Sequence, residues 1–281
     1  MSLIARERPE PAALPGDLAT AIERARPALG GFAAQLFYVP TVGSTNDEAA
    51  RLAEAGAPEG TVVVADQQSA GRGRLGRAWF SPPGAGLYVS VIFRPHRGLA
   101  AAARLPTLPA VLTLVSGVAL AEAVRETTGL PVVIKWPNDL VHDGRKLAGI
   151  LAEGSAQGRA LEHVILGFGI NVRSVTYPPQ VAARASSLET ELGRPVDRHT
   201  LLVRCLMKLA RIRVALGSGE IAPMLQRWRD LSPSAAGARV AWRGPHGLRR
   251  GWTVGLDDDG ALLVDVGGSV ERVLAGEIRW E

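Results

Sequence analysis

From Leu130 to Val172 the chain sets down strand after strand with little more than turns between them. "LPVVIKWPNDLV" is apolar and β-branched until Pro137 cuts it. "HDGR" is a turn, and "KLAGILAEG" and "LEHVILGFGINV" follow it. Such short connections favour antiparallel neighbours in one sheet. Upstream the order differs. The strand segments "FAAQLFYV", "GTVVVADQQ" and "GLYVSVIFRP" are interrupted by a helical stretch, "STNDEAARLAEAG", and by a glycine-rich loop, and a long apolar helix over 107–128 comes after them. Thr45 followed by Glu48 fits a capping box, and Gly56 closes that helix. Strands that face helices first and run consecutively later predict an α+β domain. Its sheet is mixed or antiparallel, with helices on one face, rather than a regular βαβ wheel.

Two more helices are predicted, at 198–216 and in "IAPMLQRWRDLS". After "PSAAG" at 233–237 the pattern changes to short strands with tight turns: "ARVAW", "RRGWTVGLDDDGALLVDV" and "GSVERVLAGEIRW". A unit of about 45 residues buries too little apolar surface to be strong alone, so this small barrel is expected to pack on the main domain. The expected division is a short N-terminal extension at 1–34, a main domain at 35–232 and a C-terminal unit at 236–281. Residues 1–17 are rich in proline and charge and read as loose; "LATAIERARPALGG" reads as a short helix closed by Gly30 and Gly31.

The N-terminus has no apolar run of signal-peptide form. The run "LPAVLTLVSGVALAEAV" at 108–124 contains Gly117 and Glu122; it is too short for a membrane span and reads as a buried helix. A cytoplasmic protein with no membrane partner is the expectation. The single cysteine, Cys205, lies on an apolar helical face and reads as a buried thiol. The histidines at 96, 142, 163, 199 and 246 show no metal-ligand spacing. The net charge is +5, and only three of the 32 basic residues are lysines. That arginine bias runs the length of the chain and reads as a coding preference, not as a nucleic-acid surface.

The chemistry concentrates in "QQSAGRGRLGRAWFSP", 67–82. Glycines at 71, 73 and 76 let the backbone turn and approach a ligand closely. Arg72, Arg74 and Arg77 supply guanidinium forks suited to phosphate and carboxylate oxygens. The segment is not a Walker A loop, because no Gly-Lys-Ser/Thr follows, and not a dinucleotide fingerprint. It reads as an oxyanion clamp; a basic RNA-binding loop or a solvated turn are the open alternatives. No acid lies within 70–82, so the loop is expected to repel itself and to order when an anion arrives.

Three further signals accompany it. In "KWPNDLV" Lys135 ends an apolar strand, where a lysine is costly unless it meets an anion. Asn138 and Asp139 then present oxygens suited to a metal or a ribose. "GRKLAGILAEG" brings Lys146 and paired glycines. In "GFGINV", 167–172, glycines narrow a strand and Asn171 offers a two-way amide.

The pieces "STNDEA" (44–49), "QSAGRGRLGRAWFSP" (68–82), "GLYVSVIFRP" (86–95), "KWPNDL" (135–140), "KLAGIL" (146–151) and "GFGINV" resemble biotin–protein ligases (biotin–[acetyl-CoA-carboxylase] ligases) in content, order and spacing. The resemblance spans roughly residues 35 to 281. It implies a catalytic domain similar to class II aminoacyl-tRNA synthetases, with a mixed sheet, and an SH3-like C-terminal domain, notably in "RRGWTVGLDDDGALLV" and "GEI" at 276–278. It implies formation of biotinyl-5'-AMP from biotin and MgATP, then transfer of biotin to a lysine of a biotin carboxyl carrier domain. Under it Arg72, Arg74 and Lys135 are the catalytic cations. Ser44, Thr45, Asn46, Gln68, Gly71, Arg72, Gly73, Arg74, Lys135, Gly149, Ile150 and Leu151 are the biotin-binding candidates. Arg72, Arg74, Arg77, Trp79, Lys135, Asn138 and Asn171 are the ATP-binding candidates. Asp139 is the candidate Mg²⁺ ligand, the rest being phosphate oxygens and water.

Some members of that family carry an N-terminal helix-turn-helix domain. Only about 35 residues precede the matching segment here, so neither that domain nor sequence-specific DNA binding is expected. Monomer and homodimer both remain open, and no general base for the transfer step stands out. The rival readings are a lipoate–protein ligase or octanoyltransferase and, from another class, an RNA-binding module.

Overall fold

The computed structural model describes residues 11–94, 107–157, 160–244, 247–274 and 278–281. The valine-rich segments form the middle of a seven-stranded sheet: β1 (Leu36–Val42), β2 (Val62–Gln68), β3 (Gly86–Phe93), β4 (Val133–Lys135), β5 (Asp139–His142), β6 (Arg145–Gln157) and β7 (Ala160–Asn171). Their order is β1-β2-β3-β7-β6-β5-β4. The β1–β2 pair is parallel and the other pairs are antiparallel, so the sheet is mixed. The helices are α1 (Gly16–Leu29), α2 (Thr45–Glu54), α3 (Leu108–Thr128), α4 (Pro179–Ala182), α5 (Leu188–Leu192), α6 (Arg198–Ser218) and α7 (Ala222–Leu231).

The expectation of helices on one face needs correction. Val62, Val64, Val89 and Val91 join α1, α3, α6 and α7 in the main core. Val63, Ala65 and Ile92 point the other way and pack under Ala49 and Ala53 of α2. Strands covered on both faces lose the apolar–polar alternation, which is why "VVVA" is continuous. Beyond α2 this second face is left for the loop that follows β2.

Several boundaries also move. Phe32 to Gln35 form turns, and β1 runs on through Pro40 to Val42. "LPVVIKWPNDLV" is two strands, not one: β4 stops at Lys135 and β5 returns from Asp139, with Lys135 opposite Asp139 and a cis Trp136–Pro137 bond at the turn. The capping box is absent. Ser44 is the N-cap and makes no side-chain cap bond. Thr45 turns its hydroxyl to Gln68, and Glu48 binds Arg51. The 1–34 segment is not merely an extension, since Leu18, Ile22 and Leu29 of α1 are in the main core; residues 1–10 lie outside the described residues. Helix α3 has 21 residues, long and apolar enough to cross a bilayer, and 72% of its most apolar stretch is buried inside the fold. Cys205 is buried, as expected.

The C-terminal strands β8 (Ala236–Gly244), β9 (Gly247–Leu256), β10 (Leu262–Asp265), β11 (Val270–Val273) and β12 (Ile278–Trp280) form an antiparallel five-stranded sheet. It packs on the main domain where β4 ends. Trp136 Nε1 donates to Gly260 O at 3.1 Å, and Arg229 donates to Leu256 O at 2.8 Å. Gly276 and Glu277 of the "GEI" motif lie outside the described residues.

Candidate active site

The loop leaves β2 at Gln68 and folds back on itself. Gly73 N donates to Arg77 O (2.7 Å), Trp79 N to Gly71 O (2.8 Å) and Gln68 N to Ser81 O (3.2 Å). Gly71 is needed for this closeness: a Cβ there would lie 2.7 Å from Trp79 O and 2.9 Å from Gln68 Nε2. At the tip, Leu75 takes a left-handed φ of 57° and is 66% exposed.

The loop was expected to lack compensating acids. Within its own residues it does, yet the fold supplies them from elsewhere. Arg72 reaches Asp47 Oδ1 of α2 (2.6 Å) and Glu153 Oε2 of β6 (3.1 Å). Burial opposes the charge on Arg72, but the two carboxylates outweigh it and raise its pKa. The loop is therefore tethered before any ligand arrives.

Beneath the loop runs a chain of polar side chains. Ser81 Oγ donates to Trp79 O (3.2 Å) and accepts from Gln68 Nε2 (2.9 Å). Gln68 Oε1 accepts from the backbone N of Thr45 (2.9 Å) and from its hydroxyl (3.1 Å). Ser90 Oγ lies 2.8 Å from Thr45 Oγ1 and 2.6 Å from Asn46 Oδ1. Asn46 Nδ2 donates to Glu153 Oε2 at 2.6 Å. Ser44, Thr45, Asn46 and Ser90 are all buried. Buried donors and acceptors in fixed directions suit recognition of a small polar head group. Ser90 is the member that sequence reading missed, because a lone serine in "GLYVSVIF" carries no signal of its own.

The glycines of "LAGI" and "GFGIN" now have a physical account. Successive strand residues face opposite ways. Phe168 and Ile170 enter the main core, and Gly167 and Gly169 face the loop. A Cβ on Gly169 would run into the Trp79 indole, and one on Gly167 into the Asn46 amide. A Cβ on Gly149 would lie 3.0 Å from Trp79. These glycines form a floor on which Trp79 lies. The same alternation corrects one candidate: Ile150 is 2% exposed and points into the core near Gly117, so its side chain does not line the site.

Cations gather at one end of this floor. Lys146 Nζ is 2.6 Å from Asp139 Oδ1 and 5.2 Å from the Trp79 ring centroid. Lys146 is thus the ionic partner of that buried carboxylate oxygen. Lys135 Nζ lies 5.5 Å from the ring centroid of Trp280 in the C-terminal sheet. Burial holds the Lys135 ammonium below the ordinary lysine range; Asp139 offsets this in part, and Lys146 and Arg184 add to the lowering. Burial likewise lowers Arg74, with Asp139 opposing, and Arg74 has no ion pair among the described residues. Cations gathered around one carboxylate, in a partly dry setting, leave an unbalanced positive field for an anion. Lys146 belongs in this set; its motif was singled out in the sequence, but its role was not.

Asn138 and Asn171 sit at the margin. Asn138 Nδ2 donates to Ile150 O (2.8 Å), and Asn171 Nδ2 donates to Ser186 O (2.9 Å). Asn171 Nδ2 also reaches Lys146 O at 3.5 Å, so both of its N–H groups hold backbone and its oxygen is left for a ligand; Asn138 keeps one N–H and its oxygen. Arg77 closes the loop through its backbone. Among the described residues no group of three or more His, Cys, Asp or Glu side chains is placed to hold a metal.

Comparison with known proteins matches this arrangement. Residues 38–171 match the biotin/lipoate A/B protein ligase family. The chain is 35% identical over 250 residues to the bifunctional ligase/repressor BirA of Bacillus subtilis, covering 86% of this chain and 73% of BirA. It is 34% identical to the biotin--[acetyl-CoA-carboxylase] ligase of Paracoccus denitrificans, covering 79% of this chain and 90% of that one. The biotin protein ligase of Aquifex aeolicus, solved in complex with biotin and ATP, superposes with a TM-score of 0.74 at 30% identity, covering 88% of this chain and 99% of the other. A tethered arginine–glycine loop over a glycine floor, a seven-stranded mixed sheet and this similarity along most of the chain lead to one assignment: the chain belongs to the biotin–protein ligases of the biotin/lipoate A/B protein ligase family.

Proposed function

We propose that this protein joins biotin to a lysine of a biotin carboxyl carrier domain in two steps, at the site between the 69–82 loop and the glycine floor. The observation that carries the reading is the sidedness of the site. A buried polar chain, Thr45–Gln68–Ser81, lies at one end of the floor, and Arg74, Lys135 and Lys146 lie at the other. Biotin has a matching polarity, with a ureido ring at one end and a carboxylate at the other.

In the first step a biotin carboxylate oxygen attacks the α-phosphorus of ATP, and the bond to pyrophosphate breaks. Both partners are anions. Arg74, Lys135 and Lys146 offset their repulsion and stabilise the charge that develops in the transition state. Trp79 covers the floor and limits water around the mixed anhydride. In the second step a neutral lysine amine attacks the carbonyl, AMP leaves, and the amine gives up its proton. The anhydride is activated enough to need no covalent enzyme intermediate. Mg²⁺ fits the residues present if phosphate oxygens and water hold most of it, with Asp139 the available carboxylate; bound, it would screen the phosphates. The cytoplasm, where ATP is available, is the proposed setting.

The test is biotin-dependent exchange of pyrophosphate into ATP, followed by label transfer to a carrier domain. Exchange with biotin and little with lipoate is expected. Exchange with lipoate alone, or salt-sensitive RNA binding without exchange, would overturn the reading.

A pH dependence follows from Lys135. Its lowered pKa means that the ammonium is lost at a lower pH than in an ordinary lysine, so kcat/KM for ATP should fall early on the alkaline side. Lys135→Arg keeps its charge there, because a guanidinium stays protonated. The variant should lose the alkaline limb; an unchanged limb would assign the titration to another group.

A further inference from the structure

The polar chain beneath the site ends on both stems of the loop. One end reaches Trp79 O through Ser81; the other reaches Arg72 through Glu153. Glu153 Oε2 accepts from two donors, Asn46 Nδ2 at 2.6 Å and Arg72 Nη2 at 3.1 Å. No other side chain joins the buried chain to the loop's first arginine in this way among the described residues.

A carboxylate only accepts hydrogen bonds, and that fixes the direction of the bonds it makes to Asn46 and, through Asn46, to Ser90. Asn46 must turn its NH₂ towards Glu153 and its oxygen inward. Ser90 then gives its single proton to Asn46 Oδ1 and keeps none for Thr45. Thr45 has one hydroxyl proton, which serves either Ser90 Oγ or Gln68 Oε1, and a ligand carbonyl that replaces Gln68 would compete for that same proton. Remove the carboxylate and the Asn46 amide is free to flip, which reverses its bond to Ser90. The same change frees one of the two tethers of Arg72.

We propose that Glu153 is a positioning residue for the biotin end of the site: it sets the orientation of the Asn46 amide and of Ser90 beneath Thr45 and Gln68, and fastens the loop over them through Arg72. The residue touches no reacting atom. This role rests on the ligase reading above. It concerns recognition of the head group, so its effect should fall on biotin and not on ATP.

The experiment compares wild type, Glu153→Gln and Glu153→Ala in steady-state adenylation, with thermal unfolding and limited trypsin digestion of the unliganded protein. Glu153 is 42% exposed at its side chain, so the fold should tolerate both changes. The KM for biotin is expected to rise about fivefold in Glu153→Gln and about tenfold or more in Glu153→Ala, the size of one and of two lost hydrogen-bond contributions, with KM for ATP and kcat within about twofold. Cleavage after Arg72, Arg74 or Arg77 should quicken in both variants at an unchanged melting temperature. If Glu153→Ala does not fold, the isosteric Glu153→Gln carries the test alone. Equal shifts in KM for biotin and ATP, or wild-type constants in Glu153→Gln, would overturn the proposal. Wild-type protein without biotin-dependent exchange would instead remove the ligase reading on which it stands.

Discussion

Arg74→Ala and Lys135→Ala should each slow biotin-dependent adenylate formation by about 100-fold or more, with little change in melting temperature. The structure separates these two residues from the other cations of the loop. Arg74 is partly buried and has no ion pair among the described residues, so its removal leaves no buried acid stranded. Lys135 lies over the Trp280 ring and opposite Asp139, and Asp139 keeps Lys146 when Lys135 is gone. Both ammonium and guanidinium sit where burial weakens the charged state, which means that the fold holds unbalanced positive charge in place. Charge that burial disfavours, and that has no ion pair of its own among the described residues, is put to use when an anion binds. Single-turnover formation of the adenylate, with the melting curve as control, measures this directly. Rates within about threefold of wild type in both variants would mean that the charge is not used in the transition state.

Arg72 behaves differently by the same reasoning. Its guanidinium already satisfies Asp47 and Glu153. It fastens the loop, and its loss should loosen binding of biotin more than it slows the chemical step. The sequence placed all three arginines in one clamp because their spacing is alike. What distinguishes them is which acids come near from α2 and β6, about 25 and 80 residues away in the chain, and local spacing contains no such information.

The same limit marks what else was legible. Strand and helix positions could be read wherever the periodicity was set by burial, as in α3 and β2. They failed where tertiary contacts took over. Thr45 and Glu48 have the spacing of a capping box, but Thr45 gives its hydroxyl to Gln68 across the site, and the box does not form. The second face of the sheet was missed because a continuous apolar strand says that both sides are covered without saying by what. Ser90 and Glu153 became visible only when β3, β6 and β7 were laid side by side, and Lys146, already noticed in its motif, gained a role only there. Gly167 and Gly169 were noticed as narrow points in a strand. Their partners, Asn46 and Trp79, could not be named from the sequence, because each is brought to the sheet by a different element.

That pairing gives the second large expected effect. Gly167→Ala should raise KM for biotin about tenfold or more and destabilise the protein by about 1–3 kcal/mol. A Cβ at this position would lie 2.8 Å from Asn46 Cγ and 3.0 Å from its Nδ2. Neither backbone can give way easily. β7 is paired on both sides, to β3 and β6, and α2 is packed down through Ala49 and Ala53. The Asn46 amide must leave instead, and it takes with it the hydrogen bonds to Ser90 and Glu153. Ser90 is fully buried and would lose an acceptor that water cannot reach to replace. Gly117→Ala in α3 is the matched control. Its Cβ would meet Ile134 and Ile150 at 3.7 Å, an ordinary contact, and a helix gains about 0.5–1 kcal/mol from alanine over glycine. One substitution should therefore weaken the protein and its hold on biotin, and the other should strengthen the fold and leave that hold unchanged. Chemical denaturation and KM for biotin, measured on both, decide whether the floor is narrow because Asn46 needs the room. Equal behaviour of the two variants would mean that the close approach at Gly167 serves neither packing nor recognition.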